Sequence, residues 1–243
     1  MLTGDWHFGH HSFLEDGFSK MLNYIKQYDA RVLITGDIFE MAVKDTAHTP
    51  GEAKDEYTSV ITEVYEKLKP VKNNIDGIVV GNHDLRGKRN AGLEPTELLA
   101  TMLDIKDSFL NYQGLVHYRI KYAHNCKASF DVCLWHGNGR ASTEKAAFDL
   151  MFKMTRRIDA DIYAMGHTHF LIDTIKRRKY YNPYKHRLDW KYTYFINTGS
   201  FMDYDENYAD MAGHEPKIPG FMVLHITFNK YGVHNFKVER VIV

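Results

Sequence analysis

The sequence predicts an α/β fold: a four-layer α-β-β-α sandwich of two mixed sheets, helices outside, with a metal site at the strand carboxyl ends. Two observations carry this. Apolar, strand-like runs repeatedly end in a glycine followed by ligand-type side chains, which is how α/β proteins build a site at the carboxyl ends of their strands. Amphipathic helices separate the early runs, whereas the later part of the chain reads as strands, a pattern that suits two packed sheets.

In chain order, Gly4 leads into Asp5-Trp6-His7, and a run at 32–35 leads into Gly36-Asp37. Runs at 78–80, 132–135 and 162–165 lead into Gly81-Asn82-His83-Asp84, His136-Gly137 and Gly166-His167-Thr168-His169. Helices are expected at 18–28, 52–69, 95–102 and 142–158. In the second, Tyr57, Val60, Ile61, Val64, Tyr65 and Leu68 recur at helical spacing and charges fill the other face, so packing is its role. The fourth takes Ser142 as its cap, and 146–154 is apolar nearly all round, which predicts a well-buried helix. Strands follow at 170–175, 192–196, 221–228 and 236–243, and 203–220, with two prolines, reads as a long surface loop.

A chain of 243 residues can bury a substantial core and is expected to form one domain, 1–243, with a motif-bearing core at 1–200 and closing strands at 221–243. Lys plus Arg equals Asp plus Glu at 31 each, which excludes a global field drawing the protein to nucleic acid or an anionic membrane. Fourteen histidines make metal binding worth testing. The two cysteines, Cys126 and Cys133, lie in a hairpin-like stretch and indicate neither a disulfide framework nor a thiolate metal site. No apolar window approaches the roughly 18 residues of a spanning helix, and no charged flank precedes an apolar run near the start. No membrane association and a cytoplasmic location are the expectation.

The strand ends collect Asp5, His7, Asp37, Asn82, His83, His136, His167 and His169, with Glu40 three positions after Asp37. Hard oxygen donors mixed with imidazoles, and no thiolate, suit Mn²⁺, Fe²⁺, Ni²⁺ or Zn²⁺ rather than a structural zinc knot. These residues exceed one tetrahedral shell and suffice for two metals, Mn²⁺ favoured, with one carboxylate bridging. Their ordered recurrence after strand-like runs is improbable as coincidence.

Asp-x-His, Gly-Asp, Gly-Asn-His-Asp, a later His and Gly-His-x-His together resemble the signature of the calcineurin-like metallophosphoesterases, over residues 5–169. "INTGS" at 196–200 resembles the Asn-x-Gly-Ser loop of many members. The resemblance implies that Asp5, His7 and His169 hold one metal, that Asn82, His136 and His167 hold the other, and that Asp37 bridges. It places His83 beside the metals as general acid and Glu40 where relatives often have an acid that orients this histidine. Two cations roughly 3.5 to 4 Å apart can lower the pKa of a bridging water and clamp an in-line displacement, which makes a bridging hydroxide the expected nucleophile. A general acid typically adds about 10² to 10⁴ in rate. Only Met1 to Gly4 precede Asp5, so either the first strand is unusually short or the chain begins inside it, and "GDIFEMA" with Asp84 departs from the protein phosphatases.

The expected activity is phosphodiester hydrolysis, with DNA or RNA among the substrates, since "GDIFE" and "GNHD" also resemble motifs of the double-strand-break repair nucleases. The alternatives are a small-nucleotide phosphodiesterase or phosphomonoesterase, and a non-catalytic, metal-bound binding module. Arg86, Lys88 and Arg89, in a basic loop at 85–92, are candidate substrate contacts. Seven Lys or Arg residues interleave with five aromatics at 175–192, a composition shared by single-strand nucleic-acid platforms and by packed hairpins. Its position after His169 puts it near the site mouth. His10, His11 and the histidines outside the motifs take no role.

Overall fold

The computed structural model describes residues 1–41, 57–123, 126–203, 216–229 and 232–243. Its first sheet contains β1 (Leu2–Thr3), β2 (Val32–Ile34), β3 (Ile75–Ile78), β9 (Gly220–Asn229) and β10 (Gly232–Ile242). The second contains β4 (Gln113–Ala123), β5 (Cys126–Trp135), β6 (Ile162–Met165), β7 (Leu171–Asn182) and β8 (Arg187–Thr198). The strand orders are β10-β9-β1-β2-β3 and β4-β5-β6-β8-β7. The pairs β1·β2, β2·β3, β5·β6 and β6·β8 are parallel, and β1·β9 and the hairpins β9–β10, β4–β5 and β7–β8 are antiparallel.

Side-chain alternation sorts the layers. Val132, Leu134, Ile162, Ala164 and Ile196 point inward and meet Leu2, Leu33 and Val79 of the first sheet. The intervening Cys133, Tyr163, Met165 and Phe195 point outward onto α5 (Glu144–Phe152), which buries Ala147, Leu150 and Met151. On the other side, α1 (Glu15–Tyr28) and α2 (Tyr57–Leu68) lay Phe18, Met21, Ile25, Val60, Ile61 and Val64 over the first sheet. The result is the four-layer sandwich expected from the sequence.

Several boundaries move. The first helix begins at Glu15, and the second ends at Leu68 in a 3₁₀ turn, Lys69–Asn74, while 52–56 lie outside the described residues, as do 204–215 of the expected 203–220 loop. The cap of α5 is Thr143 rather than Ser142: the Thr143 hydroxyl accepts from the Ala146 N–H at 3.2 Å. That helix ends at Phe152, and only one face is buried. The basic loop at 85–92 is instead a helix, α3 (Asp84–Ala91), followed by α4 (Pro95–Met102). The strands expected at 170–175 and 192–196 are the inner halves of the much longer β7 and β8. Among the described residues, no helix is long and apolar enough to cross a membrane.

Candidate metal centre

The centre lies where the parallel strands end. Beyond β1 and β2 the chain stays zipped: the N–H groups of Asp5, Trp6 and Phe8 donate to the carbonyls of Gly36, Asp37 and Ile38, and the Glu40 N–H returns to Phe8. This brings Asp5 and His7 beside Asp37 and Glu40. The backbone there bends out of the extended region, with positive φ at Asp5 (49°), His7 (52°), Asp37 (48°), His167 (69°) and His169 (58°). Asp and His tolerate that conformation better than most residues, and its concentration at candidate ligands is strain of the kind functional sites hold. Two glycines permit the crowding. A Cβ at Gly81 would stand 2.0 Å from Asp37 Oδ1, and one at Gly166 would stand 2.4 Å from Asp5 Oδ2.

Three groups of ligand atoms result among the described residues, one of them His7, Glu40 and His83. Asp5, His7 and His169 each place one such atom within 4.8 Å of the others, and so do Asp37, His136 and His167. Asn82 joins the Asp37 group, its Oδ1 2.8 Å from His167 Nδ1 and 3.0 Å from His136 Nε2. Asp37 Oδ2 lies 3.1 Å from His136 Nε2 and 4.0 Å from His7 Nε2.

Hydrogen bonds on the outer side of the rings decide which way their lone pairs face. His136 Nδ1 donates to the Thr35 carbonyl at 2.8 Å, His167 Nε2 to the Gly139 carbonyl at 2.6 Å, and His7 Nδ1 to Glu40 Oε2 at 3.0 Å. The inward nitrogen of each ring therefore meets acceptors or another imidazole: His136 Nε2 faces Asn82 and Asp37, and His7 Nε2 lies 3.2 Å from His169 Nε2. A proton could satisfy one such contact; a metal ion satisfies the whole set. These residues fit two divalent cations.

Electrostatics agree. Asp5, Asp37 and Glu40 are at most 3% exposed. Burial raises the pKa of each, yet neighbouring imidazoles outweigh it and hold all three below the usual carboxylate range: His169 for Asp5, His136 and His83 for Asp37, His7 and His83 for Glu40. Burial holds His7 down to about 4, so it is a neutral imidazole at neutral pH. Burial opposes charge on His136 too, but Asp37 and Asp5 overcome it and push its pKa up to about 10. Without a metal, the His136 imidazolium and the Arg86 guanidinium offset part of this buried negative charge, and a divalent cation displacing the His136 proton would offset it as well.

Glu40 is a hub, its Oε2 2.5 Å from His83 Nδ1 and 3.0 Å from His7 Nδ1, with the Arg86 guanidinium on Oε1. Arg86 also lies 3.3 Å from His83 Nε2, so it sits on the Glu40–His83 pair, whereas Lys88 and Arg89 are exposed further along α3. Asp84, passed over as a site residue in the sequence, is fully buried and accepts from the N–H groups of Phe39 (2.9 Å) and Gly81 (2.8 Å), tying together the turns that carry Asp37 and Asn82. Burial, then Asp37, pushes its carboxyl up to about 7. The carbonyls of Thr35 and Gly139 also went unread, since a backbone acceptor has no residue-type signature.

The expectation that 175–192 lies near the site mouth is overturned. In β8, Tyr194 pairs with Ile162 at the start of β6 and Asn197 with Met165 at its end, so the site is at the Thr198 end. The basic aromatic stretch occupies the opposite end.

With this geometry in place, the calcineurin-like phosphoesterase family model matches residues 1–171, and the chain belongs to that family. The residues beyond 171 complete both sheets by supplying β8, β9, β10 and nearly all of β7. Similar solved structures include Vps29 from Entamoeba histolytica complexed with Zn²⁺, at 20% identity and TM-score 0.45, covering 99% of this chain and 97% of that one. A predicted phosphoesterase from Streptococcus pneumoniae TIGR4 is 13% identical at TM-score 0.38, covering 99% of this chain and 87% of that one. No curated protein is matched by the sequence.

Proposed function

We propose that this phosphoesterase-family protein is a two-metal phosphodiesterase. The observation that carries the reading is the convergence of three carboxylates, Asn82 Oδ1 and the inward ring nitrogens of His7, His136, His167 and His169 on one partly open site. Asp5, His7 and His169 would hold one ion, Asn82, His136 and His167 the other, and Asp37 would bridge. The donor set, four imidazole nitrogens and three oxygens with no thiolate, suits Mn²⁺, Fe²⁺, Ni²⁺ or Zn²⁺, and Mn²⁺ is the ion we favour. When bound, such a pair supplies Lewis-acid activation of the phosphoryl group and of water.

The chain's own residues do the rest. His83, with 21% of its side chain exposed, stands at the opening as the group that protonates the departing alkoxide oxygen. Glu40 fixes the ring through Nδ1, and Arg86 holds the far carboxylate oxygen and lies 3.3 Å from Nε2, the nitrogen that would carry the transferred proton. Arg86 therefore positions this pair, while Lys88 and Arg89 remain candidate contacts for substrate phosphates. DNA, RNA and small nucleotide diesters are the substrates to compare.

The test is hydrolysis of bis-p-nitrophenyl phosphate, a dinucleotide and end-labelled DNA by chelator-stripped protein restored with Mn²⁺. The reading expects diester turnover that disappears in Asp37→Ala. Turnover of monoesters alone, or of nothing by metal-loaded protein, overturns it.

A further inference from the structure

We propose that the outer half of the β7–β8 ribbon is a docking platform for single-stranded nucleic acid, remote from the metal centre and independent of its activity. β6 pairs with β8 only from Tyr194 to Asn197, but β7 and β8 go on pairing from Lys176↔Thr193 to Asn182↔Arg187. At roughly 3.3 Å per residue, Trp190 lies about 26 Å along β8 from Thr198.

The two faces of this ribbon differ. On one, Arg178 and Lys191 pair with Asp159, Lys191 also with Asp161, and Lys185 and Arg187 with Asp189. The other face carries the cross-strand pairs Arg177↔Tyr192, Lys179↔Trp190 and Tyr181↔Leu188. Here the cations rest on rings instead of carboxylates: Arg177 is 3.6 Å and Lys179 5.0 Å from the Trp190 ring centre. Trp190 is 46%, Tyr192 48% and Tyr181 58% exposed. A cavity of about 530 Å³ opens at the β8 edge where β6 has not yet begun, its walls combining Trp190, Tyr192, Tyr194 and Phe236 with the ion-paired Asp159, Asp161, Arg178 and Lys191.

Charge and geometry select the occupant. Of the seven Lys or Arg residues at 175–192, Arg178, Lys185, Arg187 and Lys191 pair with carboxylates, whereas Arg177 and Lys179 stand on the ring-bearing face, so the partner of that face is an anion. Exposed rings topped by cations suit flat bases joined by phosphates better than an acidic peptide or a lipid surface, because every base offers a stacking face. Rings two residues apart on a strand are about 6.6 Å apart, roughly twice the per-strand phosphate rise of a duplex, which matches an extended, unstacked strand. Duplex bases are not available to stack.

The test is a fluorescence-anisotropy titration of fluorescein-labelled (dT)15 at low salt, with and without chelator, alongside intrinsic tryptophan emission. The platform predicts binding that quenches tryptophan, resists chelator and is poorly competed by duplex. Trp190→Leu should weaken it by about tenfold or more. Arg177→Glu with Lys179→Glu should also flatten the log–log salt slope by about 1.4. Both variants change exposed side chains, and unchanged thermal unfolding identifies them as folded. Absence of binding, equal affinity in both variants, loss of binding with chelator, or equal Trp190-dependent capture of anionic vesicles overturns the proposal.

Discussion

Replacing Glu40 by Gln keeps the volume and one acceptor oxygen but removes the charge and turns the other oxygen into a donor. Three donors converge on that carboxylate, from His7, His83 and Arg86, at a position 3% exposed. A hydrogen bond to a charged group contributes about 1.5 to 3 kcal/mol, and each 1.4 kcal/mol is about tenfold in an equilibrium. Loss of the His7 anchor therefore predicts metal affinity about 10 to 100 times weaker, the range expected for partners that orient a ligating histidine. Loss of the His83 anchor acts separately, on the rate with metal saturating. A dinucleotide, whose alkoxide needs a proton, should slow by about 10² or more, while bis-p-nitrophenyl phosphate, with its stable leaving group, slows far less. Chelator competition reads the first effect and turnover at saturating Mn²⁺ the second. Metal affinity within twofold of the parent would refute the role given to His7–Glu40. Equal slowing of both substrates would refute the role given to His83.

Gly81→Ala should expel Asp37 from its place, because the added carbon meets Oδ1 at 2.0 Å; elemental analysis should find metal content reduced, and full loading would contradict this. Phe18, fully buried and packed edge-on to Trp6 and Phe8, anchors α1 beneath the first ligand turn, so Phe18→Ala should cost about 3 to 5 kcal/mol in urea denaturation, and a loss under 1.5 would contradict the packing. Burial pushes the Cys133 thiol up to about 11. A pKa raised on folding stabilises below the unfolded value and is lost as pH rises through the folded one, so stability should fall between about pH 9 and 11, less so in Cys133→Ala. Native protein at pH 8 should leave Cys133 unalkylated by iodoacetamide, and rapid labelling there would contradict its burial.

The candidate metal cluster was legible because its ligand-type residues fall just after apolar strands and beside glycines, and because Asp, Asn and His in that order have few other uses. The shell around it was less so. α3 is polar, contains Gly87 and buries little, so no apolar period announces it. Arg86 reads as a substrate contact until the helix turns it onto Glu40. Thr143 and Ser142 are equivalent cap candidates by residue type, and only the backbone conformation chooses between them. The ribbon was misplaced because proximity in sequence to His169 says nothing of direction. β7 leaves the site at Leu171 and runs 12 residues away from it, and the parallel pairing of β8 with β6, a non-local fact, fixes that direction.

The central claim is that the converging ligand atoms hold two cations and not a proton network. The most direct measurement is elemental analysis of protein purified without chelator and dialysed against Mn²⁺, for the parent, Asp37→Ala and His136→Ala. The account predicts about two ions per chain in the parent and one or none in the variants. One ion or fewer in the parent, or a content indifferent to Asp37, would contradict it.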